Sequence, residues 1–274
     1  MTVTDDATVV RATSRDGTPI GYWTSGDGPP LVLVHGTTAD HVTAWRALRP
    51  HLEPHVTVHA VDRRGRGASG DAAAYALERE FDDIAAVVDA VAETSGSPVN
   101  LLGHSYGGLC AFGAATRTAN IGKLVLYEGW PTRNPNLYFP PPGVVEQLDG
   151  LLAAGDHDAV VETFLRRVVS MPEAQVEAFK AQPTWGNRVA TAPTIPRELR
   201  AFHASGFDAT DASQVDAPSL LLVGAKSDDW RAEADTTAGA MPRARVGLLE
   251  GHAHVAHLLA PELFAATALA FLRE

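Results

Sequence analysis

The 274 residues, 45% hydrophobic and 20% charged, have an ordinary globular composition and enough chain for one large domain or a core with a subdomain. A net charge of -11, from 22 Lys+Arg against 33 Asp+Glu, argues against a nucleic-acid partner and disfavours polyanionic substrates. The single cysteine, Cys110, excludes an internal disulfide and reads as a small buried apolar residue. The N-terminal MTVTDDATVV lacks the basic and apolar pattern of a signal segment, and no apolar run approaches membrane-span length. A soluble, cytoplasmic protein with no membrane partner is therefore expected.

Eight short β-rich runs follow one another along the chain: ATVVRAT, PIGYWTS, PLVLVHG, VTVHAVD, PVNLLGH, KLVLYEG, SLLLVGA and ARVGLLEG. Several are continuous apolar runs ending in Gly or Asp, as suits strands buried on both faces of a parallel sheet. Between them lie helical patterns, such as Phe81, Ile84, Val87, Val88 and Val91 within EREFDDIAAVVDAVAET. Alternating strand and helix makes the class α/β. The alternation stops after Trp130 and resumes near Pro218. The intervening stretch opens with the proline-rich PTRNPNLYFPPPG and continues with helical patterns around VVEQLDGLLAA, HDAVVETFLRRVV and PEAQVEAFKA. Residues 131–212 are thus expected to form a helical cap inserted between the sixth and seventh strands of a core made by 1–130 and 213–274. No repeat or low-complexity tract interrupts the pattern.

The fifth β-rich run ends in LLGHSYGG. A strand closing in Gly-x-Ser-x-Gly ahead of an apolar helix can make a strained turn with the hydroxyl of Ser105 at its tip. A serine is a weak nucleophile at neutral pH and needs a histidine to take its proton. GHAHVAHLLAPELF offers His252, His254 and His257 just past the last strand, and at least one of them is well placed. Their H-x-H-x-x-H spacing also invites a metal, but no Cys or carboxylate lies between them to complete a site, so no metal and no cofactor are expected. After the third strand, His35-Gly36-Thr37-Thr38 can turn the Thr37 N–H toward the serine. With the N–H of Tyr106 it would form an oxyanion hole, while His35 orders the loop. GRGASG matches G-x-G-x-x-G through Gly65, Gly67 and Gly70. Its context does not suit a dinucleotide, because Asp62, Arg63 and Arg64 separate it from the strand and DAAAYALERE follows instead of a helix start.

Taken together these motifs resemble those of the α/β-hydrolase superfamily over nearly the whole chain. VHGTT looks like its His-Gly oxyanion loop, VDRRGRGASG like its Asp-x-Arg-Gly-x-Gly-x-Ser loop, GHSYGG like its nucleophile elbow, and GHAHVAHLLAPELF like its closing histidine block. The resemblance implies a doubly wound, mostly parallel eight-stranded sheet with an inserted helical cap. It also puts the catalytic imidazole at His254, with His252 and His257 as neighbours. For the acid, many relatives carry Asp three residues after the glycine that ends the seventh strand, and here that position is Ser227. Asp228 and Asp229 follow one and two residues late. A second placement in the superfamily, just after the sixth strand, falls on Glu128 in KLVLYEG, and a subset of relatives with Leu-Tyr-Glu there is similar to this chain. An ionised glutamate closing an apolar strand is costly to bury without a partner, whereas an acidic pair in a surface loop costs little. Glu128 is therefore the favoured acid, with Asp228 as the alternative and Asp229 behind it.

The expected activity is hydrolysis of an ester, lactone or thioester of a small to mid-sized, partly apolar substrate through an acyl-enzyme on Ser105. Serine at the elbow, where epoxide hydrolases and haloalkane dehalogenases have Asp, argues against both of those. The order serine, acid, histidine argues against chymotrypsin-like proteolysis. Trp130, Tyr138, Phe139, Phe164, Phe179 and Trp185 are available to wall an apolar pocket, with Trp130 and Trp185 singled out to approach the substrate. The alternatives are a lyase, cyclase or acyltransferase on the same scaffold, and a catalytically silent ligand-binding protein.

Overall fold

The computed structural model describes residues 8–132, 134, 137, 140–205 and 209–274. Each β-rich run becomes a strand: β1 (Thr8–Thr13), β2 (Pro19–Ser25), β3 (Pro30–Val34), β4 (Thr57–Val61), β5 (Val99–His104), β6 (Ile121–Tyr127), β7 (Ser219–Gly224) and β8 (Ala244–Leu249). They form one eight-stranded sheet in the order β1-β2-β4-β3-β5-β6-β7-β8. The β1–β2 and β2–β4 pairs are antiparallel, and every later pair is parallel. All residues of β3 and β7 are buried, which explains why these strands read as unbroken apolar runs and not as alternating ones.

The helices in chain order are α1 (His41–Trp45), α2 (Arg49–Leu52), α3 (Leu77–Ser95), α4 (Tyr106–Ala115), α5 (Val144–Ala153), α6 (His157–Arg167), α7 (Glu173–Lys180), α8 (Trp185–Ala190), α9 (Ile195–Ala204), α10 (Asp228–Ala240), α11 (Ala256–Leu259) and α12 (Pro261–Leu272). Strand side chains alternate between the two faces. Val32 and Val34 join one apolar cluster with Phe81 and Ile84 of α3 and with Leu109 and the fully buried Cys110 of α4. Leu31 and Leu33 join another with Trp45 and Phe264. The apolar stripe of α3, Phe81 to Val91, is buried as its spacing predicts.

Between β6 and β7 the helices α5 to α9 build a third apolar cluster of their own, around Val144, Val160, Phe164, Val176 and Ile195. Three of these helices follow the helical runs of the sequence, and two, α8 and α9, lie outside those runs. The buried face of α9, Ile195, Glu198, Leu199 and Phe202, has helical spacing, but a carboxylate interrupts its apolar pattern. Tyr138 and Phe139 lie outside the described residues. No helix of the described residues is long and apolar enough to cross a membrane.

Candidate active site

The carboxyl ends of the parallel strands meet under α5 to α9, the edge at which open α/β sheets present their ligand sites. Between β5 and α4, Ser105 adopts φ 53, ψ -128, a conformation costing a non-glycine residue of order 1–3 kcal/mol. The bend is held from both sides. The Ser105 N–H donates to the Tyr127 carbonyl at 2.9 Å, and the Ser105 carbonyl accepts from Gly108 and Leu109 at 2.8 and 3.1 Å. Two glycines permit the tight packing: a Cβ on Gly107 would strike the His35 and Val34 carbonyl oxygens, and one on Gly129 the Ser105 carbonyl oxygen.

The next strand, β6, ends in Tyr127 and Glu128. Glu128 is fully buried, and both of its oxygens are occupied. Oε1 accepts the Gly224 N–H at 2.7 Å, and Oε2 accepts from His254 Nδ1 at 2.6 Å. With its proton on Nδ1, the imidazole presents Nε2 as an acceptor. Tyr127 clasps the same loop: its hydroxyl accepts the Ala256 N–H at 2.9 Å and donates to the Ala253 carbonyl. His104, the residue before the serine, donates from Nε2 to the His254 carbonyl at 2.9 Å. Burial, reinforced by the adjoining His257 and His254, pushes His104 well below the ordinary imidazole range, and burial does the same to His257. Trp230 lies parallel to the His254 ring, 6.5 Å between centroids. The other carboxylates have different partners. Asp228 is exposed at the start of α10, 3.7 Å from Arg231, and Asp229 accepts from Asn134 at 3.4 Å.

The third component is the loop after β3. His35 accepts the Arg63 N–H at Nε2, 3.2 Å, and so donates from Nδ1 to the Gly36 carbonyl at 2.8 Å. Burial, with the Arg66 and Arg63 guanidinium groups nearby, holds it well below its usual pKa. Gly36 backs directly onto the elbow, since a Cβ there would sit 3.1 Å from the Ser105 Cβ. The Thr37 hydroxyl donates to Glu198 Oε2 of α9 at 2.8 Å. Glu198 is buried and also pairs with Arg66 and, at 3.2 Å, with Arg63. Arg63 in turn forks onto Glu80 at 2.7 and 2.6 Å and lies over the Tyr106 ring. Burial of Glu80 is outweighed by Arg63, which pulls its pKa down to about 2. The GRGASG loop is folded around a different buried carboxylate: Asp62 accepts from His41 Nδ1 at 2.7 Å, Trp23 Nε1 at 3.0 Å and the Ala68 N–H at 2.9 Å.

A cavity of about 800 Å³ opens over these parts, bordered by Thr37, Ser105, Tyr106, Phe164, Met171, Trp230 and His254. A smaller one of about 50 Å³ adjoins it, shares Ser105, Thr37 and His254, and is closed by His104, Phe179 and Arg188. Two expectations fail here. Trp130 is fully buried, edge-on behind Trp230 at 4.8 Å, because the close approach of Gly129 to the elbow turns the next side chain into the core. Trp185 sits half-buried at the first turn of α8, where its Nε1 donates to Asp158 at 2.7 Å. Neither borders either of these two cavities, whereas Trp230, Phe164 and Phe179 do. Tyr127, His104, Glu198 and Arg188 also take part here without belonging to the residues that the motifs mark. The first two adjoin motif residues, and Glu198 had a signal in the charge at the centre of an apolar helical face.

The alpha/beta hydrolase family model matches residues 31–267. An (E)-2-((N-methylformamido)methylene)succinate hydrolase of Acinetobacter baylyi is 28% identical over 246 residues, 88% of this chain and 89% of that protein. A pimeloyl-[acyl-carrier protein] methyl ester esterase of Nitrosomonas europaea is 28% identical over 254 residues, 88% of this chain and 94% of that protein. Among solved structures, an alpha/beta hydrolase from Sphaerobacter thermophilus superposes with a TM-score of 0.81 at 32% identity, covering 96% of this chain and 100% of that one. Strand order, the serine turn and a match running from β3 into α12 agree, and the chain belongs to the alpha/beta hydrolase family.

Proposed function

We propose that the chain is a serine hydrolase that cleaves an ester, lactone or thioester through an acyl-enzyme on Ser105. The observation that carries this reading is the hydrogen bond from His254 Nδ1 to the buried Glu128 at 2.6 Å, beside a serine held in a strained turn. In acylation the Ser105 hydroxyl gives its proton to His254 Nε2 as Oγ bonds to the substrate carbonyl carbon. The displaced electron pair moves to the carbonyl oxygen, where the N–H groups of Thr37 and Tyr106 receive it, each worth about 3–4 kcal/mol. The intermediate collapses as its bond to the leaving group breaks and His254 returns the proton to that group. Water then repeats the sequence on the acyl-enzyme and regenerates Ser105. Glu128 keeps the imidazole in the required tautomer and stabilises its cation. The segment 131–212 serves as the cap, and Phe164, Met171 and Trp230 make the cavity suited to a small to mid-sized, partly apolar substrate. Relatives named for a methyl ester and for a succinate derivative support hydrolytic chemistry of this kind.

A fluorophosphonate is expected to label Ser105, read by intact mass and peptide mapping, in a protein that turns over short p-nitrophenyl esters. Ser105→Ala removes the label and lowers kcat by about 10⁶. Labelling without ester turnover would replace hydrolysis by lyase, cyclase or acyltransferase chemistry, and turnover surviving Ser105→Ala would remove the nucleophile assignment.

A further inference from the structure

Four arginines are buried among the described residues, and three of them are matched by acids, Arg66 by Glu198. Arg63 presents its Nε and Nη2 edge to Glu80, and Arg64 presents the same edge to Asp83 at 2.6 Å on both sides. The fourth, Arg188 of α8, is only 5% exposed and borders the inner cavity beside Ser105 and His254. Its Nη1 donates to the Thr38 carbonyl at 3.1 Å, and its guanidinium lies 4.6 Å over the Phe179 ring. Among the described residues its Nε is buried without a partner, Nη2 makes no hydrogen bond and no carboxylate forms an ion pair with it. Asp40 contributes some compensating charge from further off, but its oxygens accept from Asn187 and Thr43 at 2.7 Å each.

A buried cation lacking a counter-charge costs several kcal/mol, a cost that has to be recovered elsewhere. Burial lowers the Arg188 pKa to about 10, which leaves it charged at neutral pH, while the adjoining His104 and His257 stay uncharged. The edge left over is the planar fork that matches a carboxylate through two parallel N–H···O bonds. The volume of about 50 Å³ suits such a small planar group. The larger cavity is bordered by the exposed Asp228 and Leu259 and gives the leaving group a way out. The inner one, walled by buried Ala44, His104 and His257, retains what stays bonded to Ser105.

We propose that Arg188 binds a carboxylate on the acyl half of the substrate, so that this enzyme acts on ester-type substrates whose acyl group carries a second, ionised carboxyl a short distance from the scissile carbonyl. The proposal rests on Ser105 as the nucleophile and narrows the substrate class. The net charge of -11 is not an obstacle, because recognition lies in a pocket where the nearest fixed charge is a guanidinium.

The test compares methyl hydrogen succinate with methyl 4-methylpentanoate, in which an isopropyl group replaces the carboxylate, by acid release. Wild type is expected to favour the charged ester in kcat/KM by roughly 10- to 100-fold, the worth of a charge-assisted pair. Arg188→Met brings the ratio of the two kcat/KM values to one or below, and Arg188→Lys restores part of it. A wild-type ratio at or below one, or a ratio unchanged by Arg188→Met, overturns the proposal. Calorimetry on Ser105→Ala supplies a measurement independent of turnover and of the arginine variants: succinate is expected to bind at least about tenfold tighter than 4-methylpentanoate, and equal or weaker binding overturns the subsite. Turnover that survives Ser105→Ala while succinate still binds would remove the nucleophile and leave the subsite standing. Ser105-dependent turnover without charge preference would do the reverse.

Discussion

At the scale of single residues, the test of the site is Glu128. Its φ of 44 and complete burial are unfavourable for a free glutamate, and two hydrogen bonds offset them. Glu128→Gln keeps the shape but gives the side chain only one accepting oxygen for two donors, Gly224 N–H and His254 Nδ1–H. The amide nitrogen then faces one of them, the imidazole loses its fixed tautomer, and no negative charge remains to stabilise its cation. A loss of about 10⁴ in kcat is expected, as for the equivalent change in a serine triad. Asp228→Asn, on an exposed side chain that among the described residues pairs only with Arg231, is expected to stay within about twofold, a surface change of under 0.5 kcal/mol. Steady-state kinetics on one ester decides between them, and the opposite pattern would move the acid role to Asp228. The burial cost of Glu128 is legible in the sequence, since an acid ending an apolar strand requires a partner. The supports were not legible: nothing in GHSYGG or KLVLYEG says that the His104 ring and the Tyr127 hydroxyl hold the backbone around His254.

At the scale of elements, α9 does more than cover the cavity. Glu198 ties that helix to the Thr37 hydroxyl and to Arg63 and Arg66, and so links the helical insertion between β6 and β7 to the loop that carries a proposed oxyanion donor. Thr37→Val preserves volume but removes the hydroxyl. It leaves one oxygen of Glu198 short of a donor, at about 1–3 kcal/mol, and the loop less firmly held. The expected result is a roughly tenfold lower kcat, about 1.4 kcal/mol of transition-state stabilisation, with KM little changed. Thr37→Ser is expected to recover most of the loss. Equal activity in all three proteins would mean that the Thr37–Glu198 bond is only structural. Legibility differs sharply between elements. Strands such as β3 and β7, and helix α3, follow from unbroken apolar runs and a clean 3.6-residue stripe. By contrast, α8 is six residues long with Gly186 inside it, and α9 hides its periodicity behind Glu198. The same limit explains Trp130 and Trp185: spacing marks an aromatic as inward-facing without saying whether it meets a cavity or the helix behind it.

At the scale of the whole molecule, proton uptake on unfolding follows from how many imidazoles the fold buries. His35, His104 and His257 are pushed well below 6.5 chiefly by burial, and His59 is lowered to about 4 by the same cause. The unfolded chain takes up protons at these sites near pH 6.5, and the native one resists until lower pH. Their contribution to stability is therefore fully present above 6.5 and is lost as pH falls from there toward the native values. Asp83 opposes them as a single group: burial raises it to about 6 despite its Arg64 partner, so between 3.8 and 6 acidification favours the native state through that one site. Glu80 and Asp16, both held at about 2, act only later, losing their contribution as pH falls below 4.5 and 3.8 toward 2. Stability should thus decline in two stages, histidines first and paired carboxylates second. Urea unfolding at pH 7.5, 6, 5 and 4 is expected to give a free energy that falls steadily between pH 6.5 and 4.5, its slope reporting an excess of protons on the unfolded chain. His59→Gln, which keeps a polar partner for the Thr24 hydroxyl 3.1 Å away, should reduce that slope by up to one proton near pH 5. A stability that is flat or rising from pH 6.5 to 4.5 would mean that the buried imidazoles are charged in the native protein, and with it the neutral His104 invoked beside Ser105 would have to be given up.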